Sequence, residues 1–182
     1  MYRWVVGGLV VVAVVVLTAM FVPSDFDQAL HTYAGPAGQV VGTALPEAVV
    51  PNIEGGRIDL AAYKGRPVLV NLWATWCGPC RQEMPALERL SKEQSGLTVV
   101  AIDQREDPAI VRSYVKKFGV TFAVGIDDSQ QLGTDLHLIG LPSSFFVDGD
   151  GVIRDAVDGP MTYDVMTAKT RALLAQSASK TS

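Results

Sequence analysis

The stretch VLVNLWATWCGPC, residues 68–80, constrains the fold of this chain more than any other. Residues 68–74 form a nearly continuous apolar run, the pattern of a strand buried on both faces. The run leads directly into C-x-x-C, which holds the only two cysteines among 182 residues. A strand with no wet side needs neighbouring strands and a covering layer on each face, and the flanking sequence supplies both by alternation. A short strand is expected near 57–60. A helix follows the motif from Glu83 to about Gln94, with Met84, Leu87 and Leu90 at helical spacing and Gly96 just beyond its end. LTVVAID, 97–103, reads as a second buried strand. Asp107, with Pro108 in the first turn, opens a helix to Phe118 whose predicted inner face carries Ile110, Val111, Tyr114, Val115 and Phe118. TFAVGID, 121–127, is a third strand. SSFFVD and VIRDAVD, separated by the turn Gly149-Asp150-Gly151, read as an antiparallel hairpin. A last helix is expected over about 162–175. The pattern is that of an α/β sheet covered on both faces.

Ahead of this domain lies a different kind of segment. Residues 4–22 run 19 positions without a charge, about 28 Å as a helix, which matches one bilayer core. The competing reading, a cleaved signal peptide, calls for a shorter apolar core and an A-x-A-like site, and no clear site follows. An uncleaved anchor is therefore expected over 1–22. Arg3 precedes the span, while Asp25 and Asp27 follow it, which orients the domain outward. Residues 23–41, rich in Gly, Pro and polar side chains, read as a tether. The folded domain is expected over 42–176 and a frayed tail over 177–182. With a net charge of -4 and no basic run, the chain lacks the electrostatic footprint of a nucleic-acid binder.

Three roles compete for the cysteines. A disulfide closing so small a loop removes little entropy from the unfolded chain and makes a weak staple. A zinc site needs four ligands, and the two histidines, His31 in the tether and His137 far downstream, do not complete one. Redox chemistry fits best. A C-x-x-C at the point where a strand opens into a helix sets Cys77 against free backbone N–H groups and the positive end of the dipole, which favour its thiolate, and leaves Cys80 one turn inside.

Trp76-Cys77-Gly78-Pro79-Cys80 resembles the thioredoxin active site, with Pro85 where that family's kinked active-site helix carries a proline. Gly140-Leu141-Pro142, ahead of the strand 143–147, resembles the loop in which thioredoxin-fold proteins hold a cis-proline against the disulfide. The similarity is closer to the membrane-anchored TlpA/ResA/DsbE-like branch. It rests on VNLWATWCGPCRQEMPAL, on GLPSSFFVDGDGVI and on an additional helix and strand over 107–127, and it covers about 42–175. The fold class it implies is α/β, a thioredoxin fold with a helix–strand insertion, preceded by one N-terminal transmembrane helix.

The resemblance implies a membrane-anchored, extracytoplasmic thiol–disulfide oxidoreductase that reduces disulfides of exported client proteins, apocytochrome c among them. Cys77 and Cys80 would be catalytic, with Glu83 matching the glutamate that ResA-like proteins carry near their cysteines. Trp76, Gly78, Pro79, Leu141 and Pro142 would contact the client. No metal or organic cofactor is implied. Re-reduction would come from a membrane electron donor of the DsbD/CcdA type. Two departures stand out. Asn71 replaces the buried aspartate of soluble thioredoxins, and Ser143 stands where heme-maturation members often place an acid. A thiol oxidant, a thiol peroxidase and a non-enzymatic binding module remain as rival readings. Among the other residues, Trp73, Phe145 and Phe146 read as core, and His137 as a surface or capping residue.

Overall fold

The computed structural model describes residues 36–179. The predicted anchor over 1–22, most of the predicted tether with His31, and residues 180–182 lie outside the described residues. Among the described residues, no helix is long and apolar enough to cross a membrane.

Five strands form the central sheet: β3 (Val68–Trp73), β4 (Thr98–Asp103), β5 (Ala123–Ile126), β6 (Ser143–Val147) and β7 (Ile153–Asp158). Their spatial order is β5-β4-β3-β6-β7. The first three are parallel, as crossover helices require, and β6 and β7 add antiparallel. β3 is therefore central, and all six of its residues are buried, as its unbroken apolar run demands. Helix α1 (Gly78–Glu93) links β3 to β4, and α2 (Pro108–Phe118) links β4 to β5. Asp107 caps α2 by accepting from the Ala109 N–H at 2.7 Å, and Gly119 ends it in the left-handed conformation at φ 68°.

Side-chain alternation divides the core in two. Leu69, Val99, Val124 and Phe146 face a layer containing Met84, Leu87, Val111, Tyr114 and Leu173. Val70, Val100, Ile102 and Phe145 face the opposite layer, with Leu132, Leu136, Val50 and Ile58. Phe145 and Phe146 are both fully buried, on opposite sides of one strand. Trp73 is wholly buried and packs its ring 5.2 Å from that of Tyr114.

Several expectations need correction. The predicted tether over 23–41 overlaps the folded unit: Pro36–Val40 is a 3-10 turn, Ala37 and Val40 are buried, and the Ala37 N–H donates to Asp158 Oδ2 at 3.1 Å. At the other end α4 (Tyr163–Ser179) runs past residue 175, so 177–179 are helical and not frayed tail. The inner face of α2 is narrower than predicted. Val111, Tyr114 and Val115 are buried, whereas Ile110 lies at the edge of the stripe and Phe118 in the last turn, about half exposed. Two elements were not predicted. β1 (Val49–Pro51) pairs antiparallel with β2 (Arg57–Asp59). The short helix α3 (Gln131–Asp135) follows β5. A glycine lies at the close packing of each, Gly125 beneath β1 and β2 and Gly133 within α3 itself. A Cβ on Gly125 would meet Val50 Cγ2 at 2.7 Å, and one on Gly133 would meet Gln104 Oε1 at 2.8 Å.

Candidate active site

α1 begins at the cysteine motif, five residues before the predicted Glu83, because the motif supplies its own start. Cys77 is the N-cap, with extended backbone at φ -74° and ψ 109°, and its Sγ accepts from the Cys80 N–H at 3.2 Å. Pro79 lies in the first turn, where a missing N–H costs nothing. Cys77 and Cys80 are joined in a disulfide. Cys77 is 5% exposed and Cys80 1%. Gly78 and Pro79 are exposed beside them, and Trp76 projects at 69% exposure. So large an exposed indole next to a reactive pair is available to a partner.

The second strand of the site reaches the motif through sheet register. Ser143 pairs with Leu72 and Ser144 with Asn71, which carries Pro142 to the end of β3 that runs into the cysteine turn. The Leu141–Pro142 bond is cis, and Leu141 packs against the cluster containing both cysteines. Ser143 Oγ lies 2.9 Å from the Gly140 carbonyl and 3.0 Å from Asp158 Oδ1. The position after the proline is thus neutral, with an acid on the neighbouring strand.

Glu83 is 2% exposed, one helical turn beyond Cys80. Asn71 Nδ2 faces its Oε1 at 3.5 Å and donates to Ser144 Oγ at 2.9 Å. Glu83 Oε2 has no hydrogen-bond partner. Burial pushes the carboxyl up to about 7, and the Met161 backbone amide pulls the other way without making a well-formed hydrogen bond. A carboxyl poised there exchanges a proton readily near neutral pH. Asn71, which takes the place of a buried acid, becomes a donor aimed at one.

A carboxyl pair close to the motif was missed by sequence reasoning. Asp103, at the end of β4, is fully buried and accepts from the Glu106 N–H at 2.8 Å. Burial, then the neighbouring Glu106 side chain, pushes its carboxyl up to about 8. Glu106 reaches back to Thr75, two residues before Cys77. The available signal was the acid-rich stretch IDQRED after a buried strand, but the partner lies 31 residues away. His137 is exposed at the end of α3 with φ 53°, in keeping with a surface residue. Among the described residues, no group of three or more His, Cys, Asp or Glu side chains is placed to hold a metal ion.

A mixed sheet of this order, with C-x-x-C at the mouth of the helix after its central strand, defines a thioredoxin-fold dithiol protein. The Redoxin family model matches residues 40–174. The chain is 35% identical over 126 residues to the thiol-disulfide oxidoreductase ResA of Bacillus thuringiensis subsp. konkukian, covering 68% of this chain and 73% of that protein. It is 32% identical over 183 aligned positions to the thiol:disulfide interchange protein DsbE of Pseudomonas fluorescens biotype C, covering 96% and 97%. A crystal structure of a thiol:disulfide interchange protein of the thioredoxin family from Chlorobium tepidum superposes with a TM-score of 0.67 at 26% identity, covering 73% of this chain and 97% of that one. The chain belongs to the Redoxin family, on its ResA/DsbE-like branch of thiol–disulfide oxidoreductases. It is an enzyme of that class, which removes the binding-module reading.

Proposed function

We propose that the protein is a membrane-tethered reductase of disulfides in exported proteins, with its domain on the extracytoplasmic side. The observation that carries the reading is the placement of Glu83: a buried carboxyl near neutrality, one turn beyond the inner cysteine. In the reduced enzyme the Cys77 thiolate attacks one sulfur of a client disulfide, forming a mixed disulfide and expelling a client thiolate. Glu83 takes the proton from Cys80, whose thiolate attacks Cys77 Sγ and expels the second client thiolate. The client gains two electrons, and the enzyme is left oxidised as Cys77–Cys80. Trp76, Gly78 and Pro79 line one side of the client site, and Leu141 and Pro142 offer main-chain contacts on the other.

The uncharged span 4–22 supports the tether. The similarity to DsbE, over nearly the full length of both chains, supports a place in the same kind of exchange. A membrane electron donor of the DsbD/CcdA type would return the enzyme to the dithiol form. Apocytochrome c is the first client to test, with the neutral Ser143 weighing against it as the sole one. The test is trapping. With Cys80→Ser, clients should accumulate disulfide-linked to Cys77 and be released by dithiothreitol. Absence of adducts with Cys80→Ser, or equal adducts with Cys77→Ser, refutes the reading.

A further inference from the structure

The loops leaving the carboxyl ends of β3 and β4 are joined by a hydrogen-bonded clasp. Glu106 Oε2 accepts from the Thr75 backbone N–H at 2.5 Å, and Oε1 accepts from the Thr75 hydroxyl at 2.6 Å. The Glu106 N–H in turn donates to Asp103 Oδ1, and Asp103 is anchored through its carbonyl by the Asp127 N–H at 2.8 Å. Between them Arg105 sits at φ 69°, a left-handed conformation that is unfavourable for a non-glycine residue. The loop thus bends into an unfavourable conformation where it delivers both oxygens of one carboxylate to one residue. That residue is half-buried and adjoins solvent-facing Trp76, so water could have satisfied both of its donors. Thr75 leads through Trp76 to Cys77, whose own N–H is held by the Ala74 carbonyl at 3.2 Å.

We propose that Glu106 is a positioning residue for thiol–disulfide exchange, acting through Thr75 to hold the turn that presents the Cys77 sulfur to a client disulfide. The inference rests on Cys77 being the attacking thiol. Attack requires the incoming sulfur to lie in line with the bond it breaks, and a misplacement of about 1 Å can cost on the order of 10²-fold in rate. The negative charge of Glu106 works against a thiolate at Cys77, so charge and grip make opposite predictions. Gln at 106 removes the charge but retains the grip: Oε1 can accept from the Thr75 N–H while Nε2 donates to Thr75 Oγ1. Ala removes both.

The experiment measures, on the reduced full-length protein, the rate of insulin disulfide reduction and the pH profile of iodoacetamide alkylation at each cysteine, read by peptide mass. Glu106→Ala should slow insulin reduction about tenfold or more and displace the Cys77 profile to higher pH, as the cysteine turn loses its hold on the helix N-terminus. Glu106→Gln should stay within about threefold of wild type, because both hydrogen bonds to Thr75 survive. If Glu106→Ala does not fold, Thr75→Val should give a partial loss that Thr75→Ser restores. An alanine or valine variant within about twofold of wild type overturns the proposal, and so does Glu106→Gln as slow as Glu106→Ala. Cys80 alkylating before Cys77 in the wild type overturns the assignment of the attacking thiol and the inference with it. Cys77 alkylating first, with Glu106→Ala unchanged, overturns the clasp alone.

Discussion

Replacing Glu83 by Gln keeps the side chain's shape and removes its charge, and the consequence for stability has a sign and a size. In the oxidised protein the carboxyl is raised from 4.5 to about 7. Each pKa unit corresponds to about 1.36 kcal/mol, so ionised Glu83 costs the fold about 3 kcal/mol relative to the unfolded chain. Below the unfolded value both states are protonated and the cost is absent. As pH rises from 4.5 toward 7 the unfolded chain releases the proton first, and stability falls. Above about 7 the cost is complete and constant. Urea denaturation of oxidised wild type and Glu83→Gln across this range should therefore show the variant gaining up to about 3 kcal/mol on wild type as pH rises. The same substitution should slow release of the mixed disulfide near neutral pH, since a well-placed general base contributes on the order of 10²–10⁴-fold. It should also lower the apparent thiol pKa values, because a nearby negative charge is gone. Stopped-flow profiles with a model disulfide report this half. A stability difference independent of pH would refute the buried-carboxyl account, and superimposable rate profiles would leave Glu83 as an ordinary helix residue.

Other consequences are simpler to read. Gly125→Ala places a methyl 2.7 Å from Val50 Cγ2, 3.1 Å from Ile58 Cδ1 and 3.2 Å from Ile102 Cδ1. It should cost about 1–3 kcal/mol, measured as a lower urea midpoint with unchanged slope. Trp76→Ala should leave stability within about 0.5 kcal/mol, because the ring is exposed, while raising KM for a protein disulfide more than for a small one. The intact chain should remain in the membrane fraction after alkaline carbonate washing, with the domain open to protease only from outside. Recovery of soluble protein beginning near Pro23 would reject the anchor.

What could be read in advance followed local rules. The buried run of β3, the capped helix at Asp107 and the Gly149–Gly151 turn each declare themselves within a few residues. The cysteine motif could be placed because strand, turn and helix start are contiguous. Elements whose existence depends on distant packing stayed hidden. Gly133 is a poor helix former, yet it lies within α3, closely packed beside Gln104 and Leu138. Val49–Pro51 is too short and too close to a proline to suggest a strand until β2 pairs with it. Ala37 is buried in a cluster of distant residues, and its N–H bonds to Asp158, 121 residues away. Thr75 and Glu106 are likewise unremarkable apart, and only the adjacency of β3 and β4 brings them together.

The two serines of β6 carry a consequence for register. Most sheet strands are kept in phase by polarity, since a slip of one residue turns apolar side chains out to water. β6 lacks that protection, because Phe145 and Phe146 are both buried and a one-residue slip would exchange one phenyl for the other. Polar pairing supplies the phase instead. Ser144 is tied sideways to Asn71 on β3, and Ser143 to Asp158 on β7. A slip would break both bonds, leaving the Asn71 amide only its 3.5 Å contact with Glu83 and the Asp158 carboxylate only the Ala37 N–H. The strand is thus pinned like a vernier by two hydroxyls, one on each flank, and the loop ending at Pro142 keeps its alignment with the cysteine turn for the same reason.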